Sequence, residues 1–131
     1  MYVDNNLIVS GGVSAAGVVT FQAPAVTLNA VTLSTNTVDF GVVRDMGEGF
    51  ALFLRAQVGS AFVGLTTLEI QAVVADDAAL STNLTVIGTT GAIPVASLIA
   101  GSRFVCGLNP RIASKGQRYL GARFVVSGTG S

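Results

Sequence analysis

The chain of 131 residues contains no histidine, no tryptophan and a single cysteine. Charge is also scarce: charged residues make up 11% of the chain, against about 25% in a typical soluble domain. Between Asp4 and Asp39 there is no charged side chain. Without histidine, neither a Ser-His-Asp triad nor a Cys-His pair can form, and the commonest general base is missing. We therefore expect a protein that is not an enzyme.

The lone cysteine argues against several further classes of site. Cys106 has no second cysteine for an intrachain disulfide, and without histidine it lacks the ligand set of a zinc site. It falls between Phe104 and Leu108 at strand spacing, which favours a small buried side chain over a nucleophile. We expect no catalytic residue, no metal and no cofactor.

Charge and hydropathy also argue against nucleic-acid and membrane partners. Seven basic and seven acidic residues give a formal net charge of zero, so no electrostatic attraction to nucleic acid or anionic lipid is predicted. No segment approaches the roughly 18 consecutive apolar residues of a membrane helix. The start lacks the basic and apolar regions of a signal peptide, so we expect synthesis and assembly in the cytoplasm.

Two short motifs have a structural interpretation that outweighs the chemical one. Asp76-Asp77 is the only acidic pair, but its surroundings lack the spaced oxygen ligands of a calcium loop. We interpret it as a solvated turn or as the N-cap of a short helix over Asp76–Leu80. Gly47-Glu48-Gly49 is not followed by the Lys-Ser/Thr of a phosphate loop, and it predicts a hairpin turn.

What the sequence does contain is a series of short strand patterns. Three segments alternate apolar and polar residues with a period of two, which is typical of strands with one buried face. They are Phe50–Val58, Thr67–Val74 and Tyr119–Val126. Shorter segments with the same pattern are Leu7–Val9, Val18–Phe21, Val26–Val31, Thr37–Phe40, Leu84–Ile87 and Arg103–Leu108.

Turn signals separate these segments at intervals of about 8–12 residues, as in sandwiches and barrels. They include Ser10–Gly12, Gly47–Gly49, Val58–Ser60, Asp76-Asp77, Gly88–Gly91 and Asn109-Pro110. Helix is limited to two candidate single turns, Asp76–Leu80 and Val95–Ala100, the second opened by Pro94 and closed by Gly101. The pattern predicts an all-β protein of short antiparallel strands.

The length fits one domain over residues 1–131. Residues 1–35 form an uncharged N-terminal arm or a set of edge strands, and residues 127–131 are expected to be a flexible tail. A monomer with zero net charge and so few charged groups tends to associate. We therefore expect partners to cover part of the surface.

Several segments without any catalytic signature follow one another in a recognisable order between residues 36 and 127. They are Asn36–Gly41, Arg44–Gly49, Phe50–Val58, Gln71–Ser81, Ala92–Gly101 and Arg118–Leu120. Their order and spacing resemble the capsid cement (decoration) proteins of tailed bacteriophages, of the Bbp16 type.

This resemblance implies a jelly-roll β-sandwich that binds the outer surface of an icosahedral phage head. Such a protein bridges neighbouring copies of the major capsid protein and stabilises the shell without doing chemistry. We expect the major capsid protein of the same phage and a second copy of this chain as partners. A homodimer is favoured and a trimer is the alternative.

The candidate contact residues lie in three places. They are Tyr2, Val3 and Asp4 in the N-terminal arm, Arg44 and Asp45, and the basic residues Arg111, Lys115 and Arg118. The uncharged N-terminal third would add a strand to a neighbour, and the basic residues would pair with acidic groups of the shell. Two of these sets have a plainer alternative: Arg44-Asp45 as a local pair that fixes a turn, and the basic residues as a solvated loop.

A second functional hypothesis uses the same fold class. Jelly-roll sandwiches also serve as carbohydrate- or receptor-binding modules of phage particles, and the fold alone does not separate the two roles. Sugar sites normally use exposed aromatic side chains, and this chain has no tryptophan and two tyrosines. The cement role is therefore the leading hypothesis.

Overall fold

The computed structural model describes residues 8–16, 18–24, 29–43, 51–111 and 116–128. Within them the protein is nearly all β, and every strand pair is antiparallel. The strands are β1 (Gly12–Val13), β2 (Val19–Thr20), β3 (Val31–Leu33), β4 (Val38–Asp39), β5 (Phe53–Gln57), β6 (Thr67–Ala75), β7 (Thr85–Pro94), β8 (Arg103–Gly107) and β9 (Tyr119–Ser127). One 3-10 turn, Val95–Ser97, joins β7 to β8.

The main sheet is built around the two long strands β6 and β9. Its order is β3-β9-β6-β7, and β4 pairs with the first residues of β9. β6 and β9 pair along their whole length, from Thr67 opposite Ser127 to Ala75 opposite Tyr119. Six of the nine residues of β6 are buried, because its even-numbered apolar residues face the second layer and Val73 and Ala75 pack on the other side.

The second layer is the two-stranded sheet of β5 and β8, in which Phe53 lies opposite Gly107 and Gln57 opposite Arg103. Alternate residues of both strands point towards the main sheet and pack on its buried clusters. These are Leu54, Ala56, Phe104 and Cys106. The sandwich-like all-β class expected from the alternation is confirmed. Jelly-roll connectivity stays a prediction.

The core between the layers contains large side chains that are almost fully removed from solvent. Leu65, Leu68, Leu98 and Val126 are among its most deeply buried members. Burying a leucine or valine contributes about 1.5–3 kcal/mol relative to exposure. The core therefore holds the two layers together with apolar contacts, consistent with a sequence that is half hydrophobic.

The turn predicted at Gly88–Gly91 is wrong, because β7 runs through these residues without interruption. Gly88 lies where β7 passes close to β8, and a Cβ atom on it would collide with the carbonyl oxygen of Gly107. Glycine at this position therefore serves close packing of two strands. In the sequence, close approach and chain reversal give the same glycine signal.

A β-bulge in the β6–β7 pairing explains Gly91, the other glycine of the Gly88–Gly91 segment. The register shifts between Glu69 and Gln71, and Gly91 has a φ of 71°, in the region that favours glycine. The amide of Ile70 donates to Thr90 Oγ1 (3.1 Å) instead of to a backbone carbonyl. The threonine hydroxyl therefore supplies the acceptor that the irregular register removes.

The two candidate helical turns have different outcomes. Val95–Ser97 is a 3-10 turn that follows Pro94, so the prediction there is confirmed in a shorter form. Asp76–Leu80 is a non-helical turn, and the predicted helix is wrong. The carboxylate of Asp77 accepts the amides of Ser81 and Thr82 and the Ser81 hydroxyl, which closes the loop around Leu80 at φ 55°.

Most of the predicted strand segments correspond to observed strands. Leu84–Ile87 is the start of the much longer β7. Of the segment predicted at Val26–Val31, residues 26–28 lie outside the described residues, and only Val31 belongs to a strand, as the first residue of β3. The segment at Leu7–Val9 is not confirmed, since Ile8 and Val9 belong to no strand. Ser127, the first residue of the expected tail, is the last residue of β9.

Candidate interaction surface

Only two of the sequence-predicted contact residues lie in the described part of the chain. Tyr2, Val3, Asp4, Arg44, Asp45 and Lys115 lie outside the described residues. Arg111 is exposed in the loop after β8, where its amide donates to Asn109 Oδ1 (3.1 Å). Arg118 directly precedes β9.

Arg118 binds a carboxylate of its own chain. Its guanidinium donates from Nε to Asp39 Oδ1 (2.5 Å) and from Nη2 to Asp39 Oδ2 (2.6 Å). The same group lies over the Tyr119 ring, with Cζ 5.2 Å from the ring centroid. The hydrogen bonds from Arg118, and then that from the Gly41 amide, lower the pKa of Asp39. Arg118 therefore fastens β4 to β9 through a two-point ion pair.

On the face of the main sheet turned away from β5 and β8, the charged side chains of Arg123 and Glu69 are also held by hydrogen bonds within the protein. Arg123 Nε donates to Gln71 Oε1 (2.7 Å), and Gln71 Nε2 donates to Glu69 Oε1 (2.8 Å). The Thr89 hydroxyl donates to the same Glu69 oxygen at 2.6 Å. Hydrogen bonds from Gln71 and Thr89 lower the pKa of Glu69. Glu69, Gln71, Thr89 and Arg123 therefore form one connected hydrogen-bond network on this face.

Many large apolar side chains are exposed among the described residues. They are Val18, Val19, Phe21, Val31, Val42, Val43, Leu52, Phe53, Val63, Val86, Ile99 and Val105. Scattered exposed apolar residues are normal on a protein surface, whereas a cluster of them can mark an interaction site. Four of them, Val19, Phe21, Phe53 and Val63, line one cleft.

This apolar cleft has a volume of about 880 Å³ and lies between β5, the β1–β2 hairpin and the main sheet. Its floor consists of buried core residues, namely Leu68, Ile70, Ala122 and Phe124. One wall consists of β5 and the loop from Val58 to Val63, and the other of the N-terminal segment from Ile8 to Pro24. The cleft therefore opens directly onto the core between the two layers.

Phe21 and Gly59 meet at the cleft. The Phe21 ring lies so close to the backbone of Gly59 that a Cβ atom there would collide with the ring. Phe21 nevertheless stays more than half exposed. Because Gly59 has no Cβ atom, the Phe21 ring packs against the cleft wall while more than half of the side chain stays exposed.

The N-terminal wall is attached to the main sheet and to the segment that follows β3 by hydrogen bonds of Gln22 and Asn36. We name this set of hydrogen bonds the polar clasp. Gln22 Nε2 donates to the carbonyl of Leu33 (2.7 Å), and Gln22 Oε1 accepts from the Ser10 hydroxyl (2.9 Å) and the Thr35 amide (3.1 Å).

On the Asn36 side of the clasp, the backbone amide donates to Val9 O (2.9 Å) and Nδ2 donates to Gly11 O (3.0 Å). In the described part of the first 35 residues, the strands are the short β1, β2 and β3, and these hydrogen bonds hold the segment against the main sheet.

The outer face of the β5–β8 sheet adjoins the cleft. Its six residues are Phe53, Arg55, Gln57, Arg103, Val105 and Gly107, which alternate with the inward-facing ones. Two are arginines, none is acidic, and Phe53 and Val105 are 58% and 53% exposed. The face thus combines positive charge with exposed apolar area.

Reactive groups are few in the part of the chain that the structure describes. Cys106 is buried between the layers, and burial raises the pKa of its thiol. No group of three or more His, Cys, Asp or Glu side chains that could hold a metal ion occurs among the described residues. The same residues contain no helix long and apolar enough to cross a membrane.

Sequence reasoning missed Phe53 and Val105 as surface residues. Phe53 shares the outward positions of its strand with Arg55 and Gln57, and Val105 shares those of β8 with Arg103. The available signal was an apolar residue in a polar position of an alternating strand. The cleft gave no sequence signal, because it depends on where the N-terminal segment packs.

These features define a small antiparallel β protein that exposes apolar side chains around an open cleft. A family model described as Bbp16, a phage-related family, matches residues 20–131. The chain belongs to this family, so the resemblance to Bbp16 proteins seen in the sequence is confirmed, and the cement role stays a prediction. A search of curated proteins found no match. Membership indicates a structural protein of a phage particle.

Proposed function

We propose that this protein is a capsid cement protein that binds the outer surface of a tailed-phage head and bridges neighbouring major capsid subunits. The observation that carries the proposal is membership of the Bbp16 family over residues 20–131. The exposed apolar side chains beside an open cleft support it, because a protein that acts by adhesion needs surface that a partner can cover.

The physical mechanism would be multivalency on a repeating lattice. Each copy needs only a modest interface, because a second contact made by a tethered or paired copy forms at high effective concentration. A homodimer on a symmetry axis of the shell would present the same patch to two equivalent capsid surfaces. The added buried area would resist separation of the capsid subunits without any chemical step.

The experiment that tests the proposal uses phage heads assembled without this protein. Purified protein added to such heads should co-sediment with them to a saturating, lattice-defined number of copies. It should also raise the temperature at which the heads rupture. Failure to bind mature heads would contradict the cement role. A few copies per particle together with glycan binding on an array would instead support the carbohydrate-binding alternative.

Arg111, which is exposed after β8, leads to a prediction about charge in the same assay. Arg111→Glu should weaken binding to heads and reduce its dependence on salt, because a cation that meets an acidic shell surface is screened by added ions. Binding of the variant and the unchanged protein would be measured at several ionic strengths. Identical affinities and identical salt slopes would remove Arg111 from the contact.

A further inference from the structure

Within the part of the chain that the structure describes, β5 is an edge strand of the second layer. It pairs with β8 on one side and with no other strand among the described residues. Every residue of β5 lines the apolar cleft and none of β8 does, so the cleft runs along the unpaired side of β5. A strand edge beside an apolar cleft is a template on which another extended chain can pair.

The dimensions of the cleft suit an extended peptide segment. β5 has five residues, which at about 3.3 Å per residue gives an edge roughly 17 Å long. A volume of about 880 Å³ would hold roughly 30 water molecules at bulk density. An opening of this size, floored by core residues, is larger than a packing defect.

The charges around the cleft indicate what kind of segment fits. Arg55 is the one charged side chain among the lining residues. On the outer face of β5 and β8, Arg103 lies opposite Gln57, one diagonal step from Arg55, so two guanidinium groups share one face. With no acidic residue on that face, an occupant carrying a carboxylate has complementary charge.

The carboxylates of a second copy that the structure describes are poorly suited to this face. Each of these four groups accepts an internal hydrogen bond. Asp39 is held by Arg118, Glu69 by Gln71 and Thr89, Asp76 by Asn83, and Asp77 by Ser81 and Thr82. Pairing one of these four carboxylates with the β5 edge of another copy would compete with its present bond. Among the described groups, a carboxylate of a different protein therefore suits the face better.

We propose that an extended, acid-bearing segment of the major capsid protein docks in the cleft and adds a strand to the open edge of β5. This inference rests on the proposed function, and it identifies the face of this protein that meets the shell. Alternate side chains of the segment enter the cleft over Phe124 and Ile70. The others lie on the outer face, where a carboxylate meets Arg103.

A photo-crosslinking experiment tests which molecule occupies the cleft. Phe53 and Val31 are replaced in separate variants by p-benzoylphenylalanine and bound to heads assembled without this protein. The two positions are 58% and 56% exposed. Val31 lies in line with Val125 and Glu69, on the face turned away from β5. Irradiation of the Phe53 variant should link it to an acid-containing segment of the major capsid protein, and the Val31 variant should give a much lower yield.

Other outcomes overturn the inference separately from the cement role. If heads bind both variants but only the Val31 variant crosslinks to the capsid protein, the contact lies on the opposite face. A crosslink from Phe53 to a second copy of this chain makes the cleft a self-association site. In both cases binding to heads, and thus the cement role, survives. Failure of the unsubstituted protein to bind heads removes both proposals.

A pair of matched charge variants provides a second readout. Val63 and Val42 are both exposed loop valines, at 76% and 59%, but only Val63 lines the cleft. Val63→Asp places a carboxylate where the acidic segment should dock, and Arg103→Glu reverses the attracting charge. Each should weaken binding to heads by about tenfold or more, whereas Val42→Asp should change it by less than about twofold.

Circular dichroism and thermal melts of the three variants show whether each keeps its fold. Equal binding by Val63→Asp and Val42→Asp would exclude the cleft as the docking site. Unchanged binding by Arg103→Glu would exclude the acidic character of the occupant.

Discussion

At the scale of single residues, Arg118 shows that a basic residue expected to contact a partner can also form an ion pair within its own chain. The sequence places Arg111, Lys115 and Arg118 close together, and proximity along the chain favours a shared surface. Asp39, which engages Arg118, lies far away in sequence and is brought to it by the pairing of β4 with β9. Long-range pairing of this kind has no local signature, so the sequence alone could not assign the partner.

The Asp39–Arg118 pair leads to a pH prediction. Because the pKa of Asp39 is lower in the folded protein than in the unfolded chain, the pair stabilises the fold above the unfolded pKa, near pH 4. This stabilisation is lost as the pH falls through the folded pKa. Asp39→Asn should therefore be less stable than the parent at pH 7, and the difference should shrink below about pH 4.

Urea unfolding of both proteins at several pH values measures that difference. The Arg118 and Asp39 side chains are 40% and 41% exposed, so the effect should be small and should weaken further in high salt. A gap between the two proteins that is as large at pH 2.5 as at pH 7 would contradict the assignment.

Gln117 is a buried polar residue that the sequence does not single out. Its amide Nε2 donates to the Asn83 carbonyl and to Thr85 Oγ1, both at 2.6 Å, and its side chain is fully buried. It connects the segment before β9 to the start of β7. Buried glutamine is uncommon, and nothing in its sequence neighbours marks it as internal.

At the scale of elements, strand positions were the most predictable feature, because period-two alternation survives wherever one face is buried. The long strand β6 and its partner β9 follow this pattern closely. The wrong predictions lie where a side chain takes the place of a backbone hydrogen-bond partner. The Asp77 carboxylate closes a non-helical loop whose sequence resembles the start of a helix. Thr90 accepts the Ile70 amide at a β-bulge, in a glycine-containing segment whose sequence resembles a turn.

The bulge gives a prediction for Thr90. Thr90→Val keeps the shape of the side chain but removes the acceptor of the Ile70 amide, which lies in a strand residue that is 4% exposed. A buried donor left without an acceptor costs about 1–3 kcal/mol. We therefore expect a loss of unfolding free energy of about that size, measured by chemical denaturation.

Thr35→Val serves as the matched control, because Thr35 is exposed and contributes its backbone amide, not its hydroxyl, to the polar clasp. Its stability should change by less than about 0.5 kcal/mol. Equal stability of Thr90→Val and the parent would show that the Ile70 amide finds another acceptor.

At the scale of the whole molecule, the two layers are closely packed at one end and open at the other. β7 and β8 approach each other where Gly88 meets Gly107, whereas β5 and the N-terminal wall stand apart across the cleft. Composition predicted a poorly charged β protein that partners cover. The location of the open side could not be predicted, since it depends on tertiary packing of a segment whose own pattern is weak.

Cys106 can report on separation of the layers, because it is the only cysteine and lies buried between them. It is 2% exposed, and burial raises the pKa of its thiol, so little reactive thiolate is available in the folded state. A thiol reagent should label the native protein slowly, at a rate limited by opening of the sandwich.

The measurement is the labelling rate as urea is raised towards the unfolding transition, compared with the unfolding rate seen by circular dichroism. The two rates should converge near the transition midpoint. Immediate stoichiometric labelling in buffer without urea would show that Cys106 is reached without separation of the layers.

The polar clasp has a consequence for how quickly and how tightly a ligand would be captured. Since Gln22 and Asn36 already fix the N-terminal wall in place, its conformational entropy has been lost during folding and need not be lost again on association. Loosening the clasp with Gln22→Ala changes one lining residue and leaves every other residue that lines the cleft as it is. It should nevertheless slow capture, because each encounter would then have to wait for the wall to order.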